Sequence, residues 1–317
     1  MVKVAALFVL GLILICIGGD RLVDAAVAIA KRLKIPEIVV GATIVSLGTT
    51  LPEILVSTTA ALQGTPGAAD ISAGNAFGSI ICNTALIAGL TQLIAPSKKV
   101  ARSSITWRAA AFFAIAMGLI AVGLSTGRFG RVTGVVLLVC FCVYAVANVK
   151  FPGGDEEEKK DEKQGSLPLQ LLTLAVCAVL LYFGANLLVD NGIILAGAMG
   201  VPERVIAVTF IALGTSLPEL VTSLASIIKG YGNVGLGNIL GANILNLVLV
   251  MGIPAAVIGI NLNPSTIRID AVLGIVVMAI LTVPLMVKQR SYRVQGAALL
   301  AIYVGYVVLS FVKGAAG

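Results

Sequence analysis

Long apolar blocks dominate the chain, and cutting it at Gly, Pro and charge clusters leaves ten of them. They run over residues 3–30, 37–62, 70–94, 105–124, 130–149, 167–197, 203–228, 233–259, 267–287 and 292–312. Most exceed the about 20 residues a helix needs to cross the hydrocarbon core, and the longest are read as tilted. One long polar interruption, GGDEEEKKDEKQG at 153–165, leaves five blocks on each side. The pattern predicts an all-α membrane protein with ten transmembrane helices. They form two five-helix units, 1–149 and 167–317, joined by a charged linker at 150–166.

Composition agrees with the pattern: 58% of the 317 residues are hydrophobic and 12% charged, more apolar surface than a soluble core could hide. A signal peptide over Met1–Gly18 fits less well, because no small-residue cleavage site leads into a polar mature domain. Cys16, Cys82, Cys140, Cys142 and Cys177 lie in apolar runs without metal-ligand spacing and read as small packing residues. Histidine is absent, which removes the usual neutral-pH proton carrier and the commonest transition-metal ligand. Haem, zinc and His-based catalysis are therefore poor candidates, and no cofactor is expected.

Charge placement adds an orientation. With the N-terminus outside, the inner connections hold fifteen of the 22 Lys and Arg residues, among them Lys31, Arg32 and Lys34, Lys98 to Arg108, the linker lysines, Lys229, and Lys288 to Arg293. Six lie outside, Lys3, Arg128, Arg131, Arg204, Arg268 and Lys313, and Arg21 falls within the first block. The positive-inside rule thus places both termini outside and the linker in the cytoplasm. The same asymmetry accounts for the net charge of +7, so nucleic-acid binding is not indicated.

The two halves are copies. GGDRLVD (18–24) aligns with GANLLVD (184–190), IPE (35–37) with VPE (201–203), and LGTTLPE (47–53) with LGTSLPE (213–219). After a shortening by three residues, GNAFGSIICN (74–83) aligns with GNILGANILN (237–246). Five helices per copy is an odd number, so the second copy enters the membrane from the opposite face. Such inverted repeats are typical of secondary transporters whose substrate site lies at the midplane between the repeats.

The LGT(T/S)LPE strings carry the chemistry. Proline lacks an N–H, so Pro52 frees the carbonyl of Gly48 and Pro218 that of Gly214. A freed carbonyl is costly in lipid but becomes a ligand when it faces a buried ion. Glu53 and Glu219 follow directly, each near the middle of its block. An acid at a helix centre costs about 2.5–3.5 kcal/mol on insertion scales. No Lys or Arg lies at matching depth, which leaves a bound cation as partner. Thr49, Thr50, Thr215 and Ser216 add hydroxyl oxygens within a turn. Carboxylates, hydroxyls and carbonyls form an all-oxygen set for a hard cation, and two negative charges match one Ca²⁺.

A second stripe lies on the third helix of each copy. Asn75, Ser79 and Asn83 are four apart and share one helical face; their counterparts are Asn238, Ala242 and Asn246. Gly74 with Gly78, and Gly237 with Gly241, give the small-xxx-small spacing that lets a helix approach its neighbour closely.

The doubled pairs GTTLPE with GNAFGSIICN and GTSLPE with GNILGANILN resemble the two alpha repeats of the cation/Ca²⁺ exchanger superfamily, in its prokaryotic sodium/calcium exchanger branch. The resemblance implies a ten-helix antiporter of a prokaryotic plasma membrane, binding Na⁺ or Ca²⁺ alternately at one central site. It makes Glu53 and Glu219 the principal ligands, Thr50 and Ser216 side-chain ligands, Ser46 and Ala212 carbonyl donors, and has Ser79 and Asn83 complete the site. Two positions depart from it. Many sodium/calcium exchangers carry Asp where this chain has Asn246 and Ser where it has Ala242. Two carboxylates rather than three can be neutralised by one Ca²⁺, two Na⁺ or two protons. Ca²⁺/H⁺ exchange is therefore the alternative, although GNAFG lacks the acid that follows GNA in the proton-coupled branch.

Plainer roles compete for some of these residues. Asn75, Asn83, Asn238, Asn243 and Asn246 can serve as helix-to-helix hydrogen bonds. Asp24 and Asp190 lie nearer block edges and fit solvated roles better than ligation. The run DEEEKKDEK reads as a disordered linker more readily than as a Ca²⁺ sensor. A channel would need a continuous polar pore, yet the polar residues cluster at one depth. An intramembrane enzyme would need a nucleophile with a base or a liganded metal, and neither motif is present. Besides ions and lipid, the sequence names no partner. The expected motion is a sliding of the long, sparsely polar first and sixth helices over the second, third, seventh and eighth.

Overall fold

A computed structural model describes residues 1–62, 68–97, 100–152, 166–199 and 212–315. The run 153–165, the VPE copy, Lys98, Lys99 and residues 203–211 of the seventh block lie outside the described residues. In hydrocarbon a backbone must satisfy its own N–H and C=O groups, so the apolar blocks become helices. They are α1 (Val2–Leu33), α2 (Glu37–Thr49), α3 (Leu51–Leu62), α4 (Ala68–Ile81, continuing to Ile94), α5 (Arg102–Thr126), α6 (Arg131–Lys150) and α7 (Leu167–Ala198). After them come α8 (Ala212–Thr215), α9 (Leu217–Ile228), α10 (Gly232–Val257), α11 (Thr266–Lys288) and α12 (Arg293–Ala315). Among the described residues seven helices are long and apolar enough to span a membrane, and eight if α2 and α3, bent by 44°, count as one. α9 and α12 are shorter apolar helices. The protein is an all-helical membrane protein.

Burial separates centre from rim. The most apolar window of α10 is 89% buried and that of α4 is 72%, against 22% for α1 and for α6. Exposed Leu, Val and Ile side chains cover the outer helices, as a lipid-facing surface requires. All five cysteines are free.

Glycines set the closest crossings. α1 and α7 meet at Gly11 and Gly184: a Cβ on Gly11 would lie 2.8 Å from the Gly184 carbonyl, and one on Gly184 would lie 3.0 Å from that of Gly11. Gly18 faces Cys177 and Leu181, so the two helices run antiparallel. α2 and α10 cross in parallel, Gly41 against Val234 and Asn238, and Gly237 against Ile38 and Ala42. One step further on, a Cβ on Gly241 would fall 2.6 Å from the Ala42 carbonyl. The small-xxx-small pair thus joins the third helix of the second copy to the second helix of the first. A Cβ on Gly74 or Gly78 would meet nothing within 4 Å among the described residues.

Loops pair at each end of the bundle. A two-residue ribbon joins Arg128–Phe129 antiparallel to Ile260–Asn261. At the other end the Val100 N–H donates to the Gln289 carbonyl and that of Ser291 to the Ser97 carbonyl.

Candidate ion-binding site

Both LPE strings sit just after a helix break of the same geometry. α2 ends at Thr50 (φ −81°, ψ 0°) and α8 gives way to α9 at Ser216 (φ −89°, ψ 5°). These values lie at the edge of the helical region, where a chain can turn without strain. Pro52 and Pro218 follow in the first turn of the next half-helix, where the missing N–H is not needed. The break falls two residues before the proline rather than at it. The acid then sits in the first turn of α3 or α9, at the positive end of a helix dipole that stabilises a carboxylate.

The two acids are fully buried, at 0% exposure, and each is met by the opposite copy. The Thr50 hydroxyl donates to Glu219 Oε1 at 3.1 Å, and the Ser216 hydroxyl lies at the 3.5 Å limit from Glu53 Oε1. Thr49 also lies against Glu219, and Thr215 against Glu53. Glu53 Oε2 and Glu219 Oε2 have no hydrogen-bond partner among the described residues, and neither carboxylate has a Lys or Arg there. Burying two carboxylates together is strongly unfavourable without a counter-charge, so this donor set fits a cation as substrate.

The asparagines divide. Asn75 Nδ2 donates to the Glu53 carbonyl at 3.1 Å and to Ser57 Oγ at 2.9 Å, which ties α4 to α3. Asn238 Oδ1 accepts from Thr49 Oγ1 at 3.1 Å, across the α2–α10 crossing. Asn243 Nδ2 donates to Thr84 Oγ1 at 2.7 Å, bridging α10 and α4. These three are helix-to-helix bonds. Asn83 and Asn246, which are buried, make none with either amide atom among the described residues. Each lies at the start of a π-turn, Cys82–Ala88 in α4 and Asn246–Val250 in α10. A third π-turn, Gly41–Val45, precedes Ser46 in α2. π-turns insert a residue, loosen the backbone and gather at functional sites.

The remaining predicted residues lie nearby. Ser79 is buried one turn before Asn83. The Ser46 carbonyl accepts the Thr50 N–H at 2.9 Å, with Thr49 Oγ1 at 3.3 Å. A carbonyl has two lone pairs, so ligation by Ser46 would use the one the helix leaves. Ala212 opens α8, and its side chain lies outside the described residues. Asp24 and Asp190 are exposed. Asp24 and Asp20 each stand 2.7 Å from Lys229 at the end of α9.

Sequence reasoning missed Cys82. It is buried beside Asn83, near Ser216 and within electrostatic range of the two carboxylates, and Tyr303 of α12 is its neighbour on the other side. It missed Tyr144 too, whose hydroxyl donates to the Ala42 carbonyl at 2.7 Å. A lone Cys or Tyr in an apolar run carries no local signal for either contact.

This doubly acidic, oxygen-lined centre lies inside an all-helical membrane bundle. The model of the family described as sodium/calcium exchanger protein matches residues 3–150 and 169–312, so the chain belongs to that family. It is 33% identical to the inner membrane protein YrbG of Escherichia coli, over 83% of each chain. With the sodium/calcium exchanger MaX1 of Methanosarcina acetivorans it shares 28% identity over 96% of this chain and 97% of that one. A solved structure of the sodium-calcium exchanger NCX_Mj, soaked with Na⁺ and Sr²⁺, superposes with a TM-score of 0.82 at 29% identity, covering 97% of this chain and 98% of the other. The protein is accordingly a cation exchanger.

Proposed function

We propose that the protein is a secondary antiporter that exchanges Na⁺ for Ca²⁺ by alternating access at a single midplane site. Glu53 and Glu219 supply the charge, and Thr49, Thr50, Thr215 and Ser216 the hydroxyl oxygens. Asn83, Asn246 and Ser79 add neutral oxygens, and Ser46 and Ala212 add carbonyls. The observation that carries this reading is the pair of buried carboxylates, each with an unpartnered oxygen and each bonded to the other copy's break.

The chain forms ten spans in two inverted five-helix repeats, 1–149 and 167–317, with the linker 150–166 and neither terminus in the cytoplasm. The pairing of alternate loops at each end of the bundle supports this count. α1 and α7, which face lipid and meet through Gly11 and Gly184, slide over α2, α3, α4, α9 and α10. Lys229, bonded to Asp20 and Asp24, ties α1 to α9 and is a contact such sliding must break. Ca²⁺/H⁺ exchange is the second reading, because Asn246 leaves only two acids for the counter-ion to neutralise.

Uptake of labelled Ca²⁺ into proteoliposomes under imposed Na⁺, K⁺ or pH gradients tests both. Uptake should follow the Na⁺ gradient and fall to background in Glu53→Gln and Glu219→Gln. Uptake that ignores Na⁺ but follows pH replaces the first reading with the second. Undiminished uptake in both variants removes the site assignment.

A further inference from the structure

The π-turn of α2 leaves one carbonyl without its helical donor. In an α-helix the Ser46 N–H would serve the Ala42 carbonyl, four residues back. Here it reaches instead to Gly41, five residues back, and to Thr43, three back, and passes over Ala42. Ala42 is fully buried, and an unmet carbonyl there is costly. The group that meets it comes from far away in sequence: Tyr144 of α6, buried at 5% exposure, donates its hydroxyl to the Ala42 carbonyl at 2.7 Å.

We propose that Tyr144 is a positioning residue of the ion site, whose hydroxyl holds the π-turn of α2 and thereby the angle at which Ser46, Thr49, Thr50 and Glu53 face the ion. This rests on the site reading above. One inserted residue turns everything that follows by about 100° around the helix axis, since an α-helix has 3.6 residues per turn. If the turn relaxed to α-helical register, Ser46 and Thr49 would rotate off the face shared with α10. The Thr49–Asn238 bond would part, and the Thr50–Glu219 bond with it.

Tyr144 is itself fixed. Asn148, one turn on, donates to the Tyr144 carbonyl at 2.9 Å, and its Oδ1 accepts from Arg108 Nη2 at 2.8 Å. The Trp107 ring lies 5.8 Å from that of Tyr144. α6 is in turn docked on α10 where Gly134 meets Ala255 and Ala256, and where Gly252 meets Leu137. The π-turn is therefore held between α10 on one side and α6 on the other.

The test is the Ca²⁺ dissociation constant of purified full-length protein, read by titration calorimetry, for the parent, Tyr144→Phe, Leu119→Ala and Glu53→Gln. Phe keeps the ring and removes only the donor. Leu119→Ala opens a gap in the buried core on α5, three turns beyond Arg108, and reports what loss of stability alone does. Tyr144→Phe should weaken Ca²⁺ binding at least tenfold, and Leu119→Ala should leave it within twofold while lowering the melting temperature. A Tyr144→Phe constant equal to the parent's overturns the proposal, as does an equal loss in Leu119→Ala. If Glu53→Gln binds as the parent does, the site itself is misplaced and this inference falls with it. If Glu53→Gln loses binding and Tyr144→Phe does not, the site stands and the positioning role does not.

Discussion

Gly241→Ala is the sharpest test of how the helix crossing builds the site. An added Cβ would stand 2.6 Å from the Ala42 carbonyl oxygen, 2.7 Å from the Ala42 Cα and 2.5 Å from Ser46 Oγ. The hydroxyl can rotate away, but the two backbone atoms cannot. Nonbonded carbon atoms rest at about 3.5–4.0 Å, so α2 and α10 must separate by about 1 Å. Overpacking of this kind costs about 1–3 kcal/mol. The Thr49–Asn238 bond spans the same crossing at 3.1 Å, and opening it by that amount takes it past the hydrogen-bond limit. Two readouts should therefore move together: the melting temperature in detergent and the Ca²⁺ concentration for half-maximal uptake. Gly118→Ala is the control, because a Cβ there meets nothing within 4 Å. Replacing a helix-interior Gly by Ala at an open position is neutral or stabilising. Gly241→Ala protein with the parent's melting temperature and Ca²⁺ dependence would refute the close-approach argument. Reduced stability with unchanged Ca²⁺ dependence would confine the crossing to folding.

Removing the bridging hydroxyls should reveal an asymmetry. Thr50→Val deletes the 3.1 Å bond to Glu219, and a hydrogen bond to a charged group is worth about 1.5–3 kcal/mol, so Ca²⁺ binding should weaken by about ten- to a hundredfold. Ser216→Ala removes only a contact at 3.5 Å and should cost less than tenfold; equal losses in the two variants would refute this ranking. Asn246→Asp places a third acid beside two, in a position 1% exposed. With two carboxylates the parent should carry two positive charges each way and take up Ca²⁺ at a rate indifferent to a valinomycin-clamped potential. The variant should become voltage-sensitive, and identical voltage responses would show that position 246 does not share the ion.

What was legible in the sequence was what a single helix declares about itself. Pro52 and Pro218 announced an interruption near each LPE string, and the mid-block acids stand out because hydrocarbon tolerates few. The Gly237–xxx–Gly241 spacing announced a close approach. It did not say to which helix, and that partner is α2 of the other copy. The asparagine stripe was legible as a stripe only. Position along the helix does not separate Asn75, Asn238 and Asn243, which bond to neighbours, from Asn83 and Asn246, which bond to nothing described. That division depends on π-turns, which shift the face of a helix by one residue and leave no trace in a hydrophobic pattern. Tyr144 and Cys82 escaped for a related reason: their partners lie on helices far removed in sequence.

The cross-bonding changes what the repeat means. Had Thr50 bonded to Glu53 and Ser216 to Glu219, each copy would hold its own acid and could move as a separate half-site. Instead Glu219 takes its hydrogen bond from Thr50 and Glu53 faces Ser216, so each carboxylate is oriented by the break of the other half. The charges of the site are thus aimed by groups on opposite copies. A displacement of one break relative to the other disturbs both acids at once. With the inverted repeats proposed above, that arrangement joins the opening of one face to the geometry seen from the other. An exchanger needs that linkage, because an ion site that kept its shape while either face opened would leak.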